Sequence, residues 1–497
     1  MDDGQPKRLD ELTAALTGLE SVRGSDGHAV SGIASDTRAL RSGDVFVAVP
    51  GTQIDGRVFI GEAVRHGAAA VVTECDVEPP GVPVLRVRDA RAALAELAAA
   101  WHDWPSERLT LVGITGTLGK TSTLSMLEAV LRTAGIRTGS IGSLGIRSGD
   151  RVERTRLTTP EPLKLQHALA AFVADEARAV VMEVTSHALS QRRVHGLTYD
   201  LGIFTNVALL EHRDYHGSFQ RYVQAKSRFF DLVKTGAPLV YPVGDRVVRT
   251  IVRGRKLSGV SCGPGGRVSA RTERLHLDRG GTRIHLTSRV PLPRVGGGEV
   301  RAFSLPIELQ VLGRPNIINA VLAATAGLCL GAEPEAVRGA LSAFPAPWRR
   351  MQIAHRGRFT VLDDTVGHPD SIGAVFEVAR KISHRCLHVI YAVRGGRGEE
   401  INRRDAETIA IWAECTGLDS LYITSSEECV DEANRVSPGE RAAFLGPLKR
   451  HGVAHIYTDR LGDAVDRLLD GVGDRDLVLL LGAQGMNRGA ELLRKRL

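Results

Sequence analysis

The stretch Gly113–Val130, GITGTLGKTSTLSMLEAV, constrains this chain more than any other. An apolar run, Leu109 to Ile114, meets a Thr/Gly-rich turn and then Lys120, Thr121, Ser122 and a helical pattern. Such a layout aims backbone N–H groups inward at a helix N-terminus, adds a lysine as a point charge and offers a hydroxyl to Mg²⁺. It is the layout of a phosphate cradle. The spacing Gly116-x-x-Gly119-Lys120-Thr121 is shorter than the common GxxxxGK[ST] loop, and Leu118 occupies the tip.

At 497 residues, a span of roughly 150 residues per domain predicts about three domains. Residues 1–105 alternate strand-like pieces (DVFVAVP, AAAVVTE, VPVLRV) with helical ones (FIGEAVRHGA, ARAALAELAAAWHDW). Residues 106–345 open on the phosphate loop and continue through ARAVVMEV and LGIFTNV. Within them, Ser258 to Ile307 turns Gly- and Arg-rich with alternating apolar residues, which predicts an antiparallel insertion. Prolines in FPAPWRRM mark a boundary, and residues 346–497 alternate strand and helix again. The expected fold class is α/β with three doubly wound domains, whose ligands sit at the strands' C-terminal ends.

Apolar residues make up 43% and charged residues 24%, ordinary for a globular protein with real cores. The formal charge of +7 is spread thinly, with no dense Lys/Arg block interleaved with aromatics. That suits anionic small molecules rather than nucleic acid. The cysteines, Cys75, Cys262, Cys329, Cys386, Cys415 and Cys429, form no CxxC pair, as expected in a reducing cytoplasm. No stretch has signal-peptide or transmembrane character, so a cytoplasmic protein with no membrane partner is expected.

Two further strings carry chemistry. VMEVTSHALSQRRVHG puts Glu183 at the end of an apolar strand, a usual place for a metal-binding carboxylate and equally for a strand-end residue facing solvent. TNVALLEHRDYHG supplies Glu211, His212, Asp214 and His216, with Lys226 on a following helix; such a cluster ligates metal or is simply a polar loop.

Together these strings resemble the Mur ligases, ATP-dependent enzymes that build the peptide stem of peptidoglycan precursors. Within that family the MurE type, which extends UDP-N-acetylmuramoyl-L-alanyl-D-glutamate, is the most similar. The likeness is strongest over Ser35–Val72 and Gly113–Phe230. It implies a three-domain architecture: a uridine-binding domain (1–105), a central ATP-binding domain (106–345) and an amino-acid-binding domain (346–497) that closes over ATP. It also implies an ADP-forming ligase acting through an acyl phosphate on a UDP-linked muramoyl peptide and an amino acid, here as a monomer. By the same likeness Gly116, Thr117, Leu118, Gly119, Lys120, Thr121 and Ser122 cradle ATP, with Lys120 on the β/γ-phosphates and Thr121 on Mg²⁺. Glu183 and His212 match ligands of a second Mg²⁺, and Lys226 a lysine carbamylated by CO₂. Ser35, Thr37, Thr52, Gln53 and Ile54 match the uridine loops, whereas Thr158, Thr159, Ser186, Gln191 and Arg193 match residues holding the muramoyl peptide. Asn316 matches an adenine contact, Arg350 a nucleotide-site arginine and Asp364 a ribose contact.

The chain also departs from the family pattern. Leu118 stands where an asparagine is typical, and His368 sits one place later than the familiar histidine. The acceptor strings of diaminopimelate-adding enzymes are replaced by VRGGRGEEINRRD, ITSSEECVDEANR and GAQGMNRG, which leaves Arg394 and Arg397 as candidates for an amino-acid carboxylate or as plain surface arginines. Two other readings accompany the ligase: recruitment of the same machinery to another peptide-like metabolite, and a non-catalytic binding protein that retains the fold.

Overall fold

The computed structural model describes the chain except residues 1–4, 52–53, 78–80, 209–216, 254, 256, 277–280 and 346–347, and over 271–276 it describes the backbone alone. The chain forms two compact units, one of Met1–Ala270, Leu286–Leu305 and Asn319–Ala340, the other of Arg271–His285, Pro306–Ile318 and Leu341–Leu497.

The first unit begins with a five-stranded sheet of β1 (Leu19–Arg23), β2 (Gly32–Ala34), β3 (Asp44–Val47), β4 (Ala70–Thr73) and β5 (Val84–Val87), in spatial order β1-β5-β4-β3-β2. β2 to β5 run parallel and β1 pairs antiparallel with β5. Helix α1 (Ala90–Trp101) starts at Asp89, whose carboxylate accepts from the Arg91 and Ala92 N–H groups. Its Leu94 and Leu97 join the core of this sheet. Buried Glu96 on the same helix accepts from the Thr17 hydroxyl and pairs with His195 at 3.2 Å, which ties this layer to the next one in the unit.

A second sheet is built on β6 (Thr110–Thr115), followed through the phosphate loop by α2 (Lys120–Thr133). Then come β7 (Thr138–Gly142), β8 (Gly145–Ser148), β9 (Arg151–Glu153), α3 (Pro162–Ala174), β10 (Ala179–Glu183), α4 (Ser186–Ser190), β11 (Leu201–Phe204), α5 (Phe219–Ser227), β12 (Pro238–Pro242) and β13 (Ser258–Cys262). Their order is β9-β8-β7-β10-β6-β11-β12-β13. β6 is flanked on both sides by parallel partners, with Glu183 opposite Ile114 and Phe204 opposite Thr115. β10 and β11 are buried along their whole length, as continuous apolar runs covered on both faces must be. Antiparallel β9 at the edge is exposed throughout. The expected antiparallel insertion does not begin at Ser258: β13 pairs parallel with β12, because Val260 and Cys262 extend the apolar layer of the sheet. Alternation sets in later, on Gly281–Ser288 and Phe303–Leu309, where buried and solvent-facing residues alternate. Helix α6 (Arg314–Cys329) comes next.

The second unit holds a six-stranded sheet in order β14-β15-β19-β16-β17-β18, made of β14 (Gln352–Arg356), β15 (Thr360–Asp364), β16 (Leu387–Ala392), β17 (Ser420–Thr424), β18 (Ile456–Thr458) and β19 (Leu477–Gly482). All its pairings are parallel except that of β14 with β15. Helices α7 (Pro369–Ala379), α8 (Glu399–Thr416), α9 (Pro438–Arg450), α10 (Leu461–Gly471) and α11 (Gly489–Arg494) belong to it as well. At its centre lies Arg349, with no exposed surface. The guanidinium donates to Asp363 Oδ1 (2.9 Å), to the Ala483 and Gly482 carbonyls (2.8 and 2.6 Å), to Asn487 Oδ1 (2.8 Å) and to the Asp364 carbonyl (3.3 Å). A single cation thus fastens the end of β15 to the end of β19.

Arg349→Leu would leave Asp363 buried without its counter-charge, at a cost of about 3–5 kcal/mol. Denaturant unfolding followed through hydrogen exchange of β15 and β19 should show that loss. Arg349→Leu combined with Asp363→Leu should recover part of it; a loss within ~0.5 kcal/mol, the size of an ordinary surface change, would sink the assignment.

Candidate active site

The loop between β6 and α2 is shaped by close approaches that no side chain would permit. Gly116 (φ 141°) has its missing Cβ on the Thr205 hydroxyl, and at Gly119 (φ 83°) a Cβ would lie 2.5 Å from Asn319 Oδ1 on α6. The backbone is held from β11 outward. The Thr117 N–H donates to the Asn206 carbonyl (2.9 Å), the Leu118 N–H to Asn206 Oδ1 (2.9 Å), and the Leu118 carbonyl accepts from Asn206 Nδ2 (2.9 Å) and the Thr205 hydroxyl (2.6 Å). The Leu118 side chain is 39% exposed. Lys120 Nζ folds back onto the Gly116 and Thr117 carbonyls at 3.0 and 2.9 Å.

Glu183, at the end of β10, is 1% exposed. Its Oε2 accepts from the Thr121 hydroxyl (3.1 Å) and its Oε1 from the Ser143 N–H (2.8 Å). A Cβ at Gly142 would fall on Glu183 Oε1, so the strand end beside it must be glycine. The carboxylate therefore faces the start of α2, and the reading of Glu183 as a strand-end residue facing solvent does not hold.

Lys226, in the last turn of α5, is 1% exposed. Its Nζ donates to the Gly116 carbonyl at 2.7 Å and lies 4.9 Å above the Tyr222 ring, whose hydroxyl bonds the Thr117 hydroxyl (2.7 Å). The Gly116 oxygen thus receives both lysines. Ser122 is buried in the first turn of α2. Thr121, Glu183, Lys120 and Lys226 are gathered around one strand–helix junction at the C-terminal end of β6, while His212 lies outside the described residues.

Family models cover most of this architecture. The Mur ligase family catalytic domain matches residues 29–102, the Mur ligase middle domain residues 114–327, and the Mur ligase glutamate ligase domain residues 349–484. A UDP-N-acetylmuramoyl-L-alanyl-D-glutamate–2,6-diaminopimelate ligase of Geobacter metallireducens is 33% identical over 91% of this chain and 86% of its own. The enzyme of the same name from Geobacillus kaustophilus is 33% identical over 90% and 88%. The chain belongs to the Mur ligase family. A solved structure of a ligase of that name superposes with a TM-score of 0.70 at 17% identity, covering 99% of both chains, which shows the shared fold.

In Mur ligase terms, the remaining site residues fall into separate groups. Ser35 (exposed) and Thr37 (buried) follow the C-terminal end of β2, and Ile54, 61% exposed, lies in the loop after the adjacent parallel β3. Thr52 and Gln53 lie outside the described residues. Nearer the phosphate loop, the Thr158 hydroxyl meets Ser143 Oγ at 3.0 Å and the Thr159 hydroxyl donates to the Glu183 carbonyl at 2.8 Å. Arg193 spans the Thr159 carbonyl (3.0 Å), Gln191 Oε1 (2.5 Å) and the Glu161 carboxylate (3.0 Å). The Ser186 hydroxyl is buried beside them with no hydrogen-bond partner among the described residues. Thr158, Thr159, Ser186, Gln191 and Arg193 thus share one neighbourhood with Glu183.

In the second unit, Asn316 donates to the Leu312 and Arg350 carbonyls (3.0 and 3.3 Å), and Arg350 to the Thr365 carbonyl (3.2 Å). Asp364 accepts from the Met351 N–H at 2.6 Å. Burial pushes its carboxyl up to about 7, against the pull of Arg350 and that N–H. Arg394 and Arg397 are half-buried in the loop after β16. The Arg394 guanidinium passes within 3.4 Å of where a Gly367 Cβ would sit, and the Arg397 N–H donates to Glu440 Oε1 (3.0 Å). His368 caps α7 through Nδ1, accepting from the Asp370 N–H at 3.2 Å.

Sequence reasoning missed Arg349, Asn206, Tyr222 and Ser143. For Asn206 the signal was available, an asparagine directly after an apolar strand next to the loop strand. For Arg349 a buried role was not readable beside the exposed Arg350.

Because the folded Asp364 carboxyl takes up its proton at a higher pH than the unfolded one, the native state holds the extra proton between about pH 4 and 7. Stability of the second unit should therefore fall as pH rises through that window. Asp364→Asn, which keeps an acceptor for the Met351 N–H, should flatten the profile in thermal melts from pH 5 to 8. An unchanged slope would remove Asp364 as its source.

Proposed function

We propose that this Mur ligase is an ATP-dependent, ADP-forming amide ligase. It joins an amino acid or other amine to the carboxylate of a UDP-N-acetylmuramoyl-dipeptide or close analogue, in peptidoglycan precursor synthesis, as a cytoplasmic monomer. One observation carries the reading: two ammonium groups, Lys120 and Lys226, converge on the Gly116 oxygen beside the Thr121–Glu183 pair. Both cations lie within about 6 Å of each other, a separation at which like charges strongly disfavour each other. A polyphosphate in the cradle is attracted by both ammonium groups, and carbamylation of Lys226 would turn that cation into an anionic oxygen ligand.

A substrate carboxylate oxygen attacks the γ-phosphorus of ATP, the bridging β–γ P–O bond breaks, and ADP leaves an acyl phosphate. The amine nitrogen then attacks the acyl carbon, the C–O bond to phosphate breaks, and the nitrogen loses its proton to solvent. Positioning and charge neutralisation do most of this work. Residues Gly116 to Ser122 form the ATP cradle, the phosphates meeting N–H groups at the start of α2 rather than those of Thr117 and Leu118, which donate to Asn206, with Lys120 swinging from the loop carbonyls to the β/γ oxygens. Thr121, Glu183, His212 and the Lys226 carbamate would hold Mg²⁺, which when bound neutralises phosphate charge. Oxygen donors suit that ion, and the Glu183 carboxylate is already oriented by the Ser143 N–H. Arg193, Gln191, Thr158, Thr159 and Ser186 take the muramoyl peptide, and the planar guanidinium suits its carboxylate. Ser35, Thr37, Thr52, Gln53 and Ile54 take the uridine; Asn316, Arg350 and Asp364 take the adenosine. Arg394 and Arg397 take the carboxylate of the incoming amino acid, which replaces the usual handling of diaminopimelate.

Phosphate release and product mass, with ATP, Mg²⁺, UDP-N-acetylmuramoyl-L-Ala-D-Glu and a pool of amino acids, test this directly. A new mass with ADP formed in step is expected; silence with every component and carbamylated Lys226 would overturn it. Lys120→Ala should abolish turnover. Lys226→Ala should be inactive yet partly rescued by small carboxylates, and full activity without rescue would refute the carbamate. Arg397→Ala should raise the KM for the amine more than that for ATP.

A further inference from the structure

At the opposite end of the second unit's sheet, where strands start rather than finish, Cys386, His388 and Asp476 lie together. Among the described residues they are the one group of three Cys, His, Asp or Glu side chains whose ligand atoms all fall within 4.8 Å of one another. Cys386 directly precedes β16, His388 is its second residue, and Asp476 directly precedes β19, which pairs with β16 in parallel register. The backbone therefore sets their spacing.

We infer that this group is a binding site for a borderline-soft divalent transition metal of the zinc class, formed by Cys386 Sγ, His388 Nε2 and one Asp476 oxygen, with solvent completing a tetrahedron. The His388 Nε2 to Asp476 Oδ2 separation is 3.1 Å. Two ligands at about 2.0–2.1 Å from a tetrahedral ion stand roughly 3.3 Å apart, so this edge is almost in place. The supporting contacts are those that hold ligands in orientation. Ser420 Oγ bonds His388 Nδ1 at 2.7 Å and points Nε2 at the group, and the Gly473 and Cys386 N–H groups pin the Asp476 carboxylate at 2.7 and 3.2 Å.

The competitor is Arg385, whose guanidinium pairs with both Asp476 oxygens at 3.0 and 3.3 Å. Its side chain is 61% exposed and able to swing into solvent, whereas that of Asp476 is fully buried. The site is independent of the ligase reading and lies at the other end of the strands from Arg394 and Arg397.

Co²⁺ is the probe, titrated into the reduced full-length protein with Mg²⁺ in excess to occupy the phosphate-loop site. One equivalent should give the thiolate-to-cobalt charge-transfer absorption that oxygen and nitrogen ligands alone do not give. Cys386→Ser should abolish the band, and Ser420→Ala should weaken Co²⁺ binding about tenfold. Arg385→Ala should tighten binding, a direction that misfolding cannot mimic. Absence of the band in the unmodified protein, its persistence in Cys386→Ser, or weaker binding in Arg385→Ala would each overturn the inference.

Discussion

A single carbonyl oxygen, that of Gly116, receives the ammonium groups of Lys120 and of Lys226. One of them belongs to a side chain with 1% exposure, so the junction where β6 ends and α2 begins gathers positive charge around one fixed acceptor. Everything around the loop serves to keep that oxygen in place. The Tyr222 ring carries part of the Lys226 charge on its π face, and its hydroxyl reaches the Thr117 side chain, so α5 and the loop are fastened to each other before any ligand arrives.

The position of the oxygen depends on small residues more than on charged ones. A Cβ at Gly113, in the middle of β6, would come within 2.6 Å of the Phe229 ring, and one at Gly139 equally close to Phe172. Those aromatic residues press on the sheet from the apolar core. Gly116, Gly119 and Gly142 play the same part at the strand ends, against Thr205, Asn319 and Glu183. A packed parallel sheet thereby brings polar groups from β6, β7, β10, β11 and α6 into one small volume, and the site's geometry inherits the rigidity of the core.

How much of this was legible in the sequence obeys the same division. β6, β10, β11, β16 and β19 each carry a continuous apolar stretch, LVGI, AVVM, LGIF, VIYA and LVLLLG, and parallel strands buried on both faces leave that trace. The Lys120–Thr121 pair and the strand-end Glu183 were legible because local spacing fixes them. The parallel course of β13 was not, since five residues of mixed polarity do not declare their partner. Arg349 escaped for a different reason. Its burial arises from four segments, at Asp363–Asp364, Gly482–Ala483, Asn487 and the arginine's own turn at φ 50°, that only tertiary structure assembles. Nothing within ten residues of Arg349 announces that its guanidinium will have no exposed surface while that of Arg350 remains exposed.

The departures from the family pattern sort by whether backbone or side chain carries the function. Leu118 replaces an asparagine at the loop tip, yet both its N–H and its carbonyl are held by Asn206, and Thr205 adds a second donor to the carbonyl. The main chain at the loop tip is therefore anchored whatever side chain stands at 118. The loop after β16 is likewise held through its backbone, with the Arg397 and Gly398 N–H groups both donating to Glu440 Oε1 at 3.0 and 2.9 Å. Burial raises the Glu440 carboxyl, but these bonds together with those from Ser437 outweigh it and hold the group below its ordinary value. The main chain of that loop is therefore fixed by one buried carboxylate at the start of α9, and the positions from which Arg394 and Arg397 project are set by it.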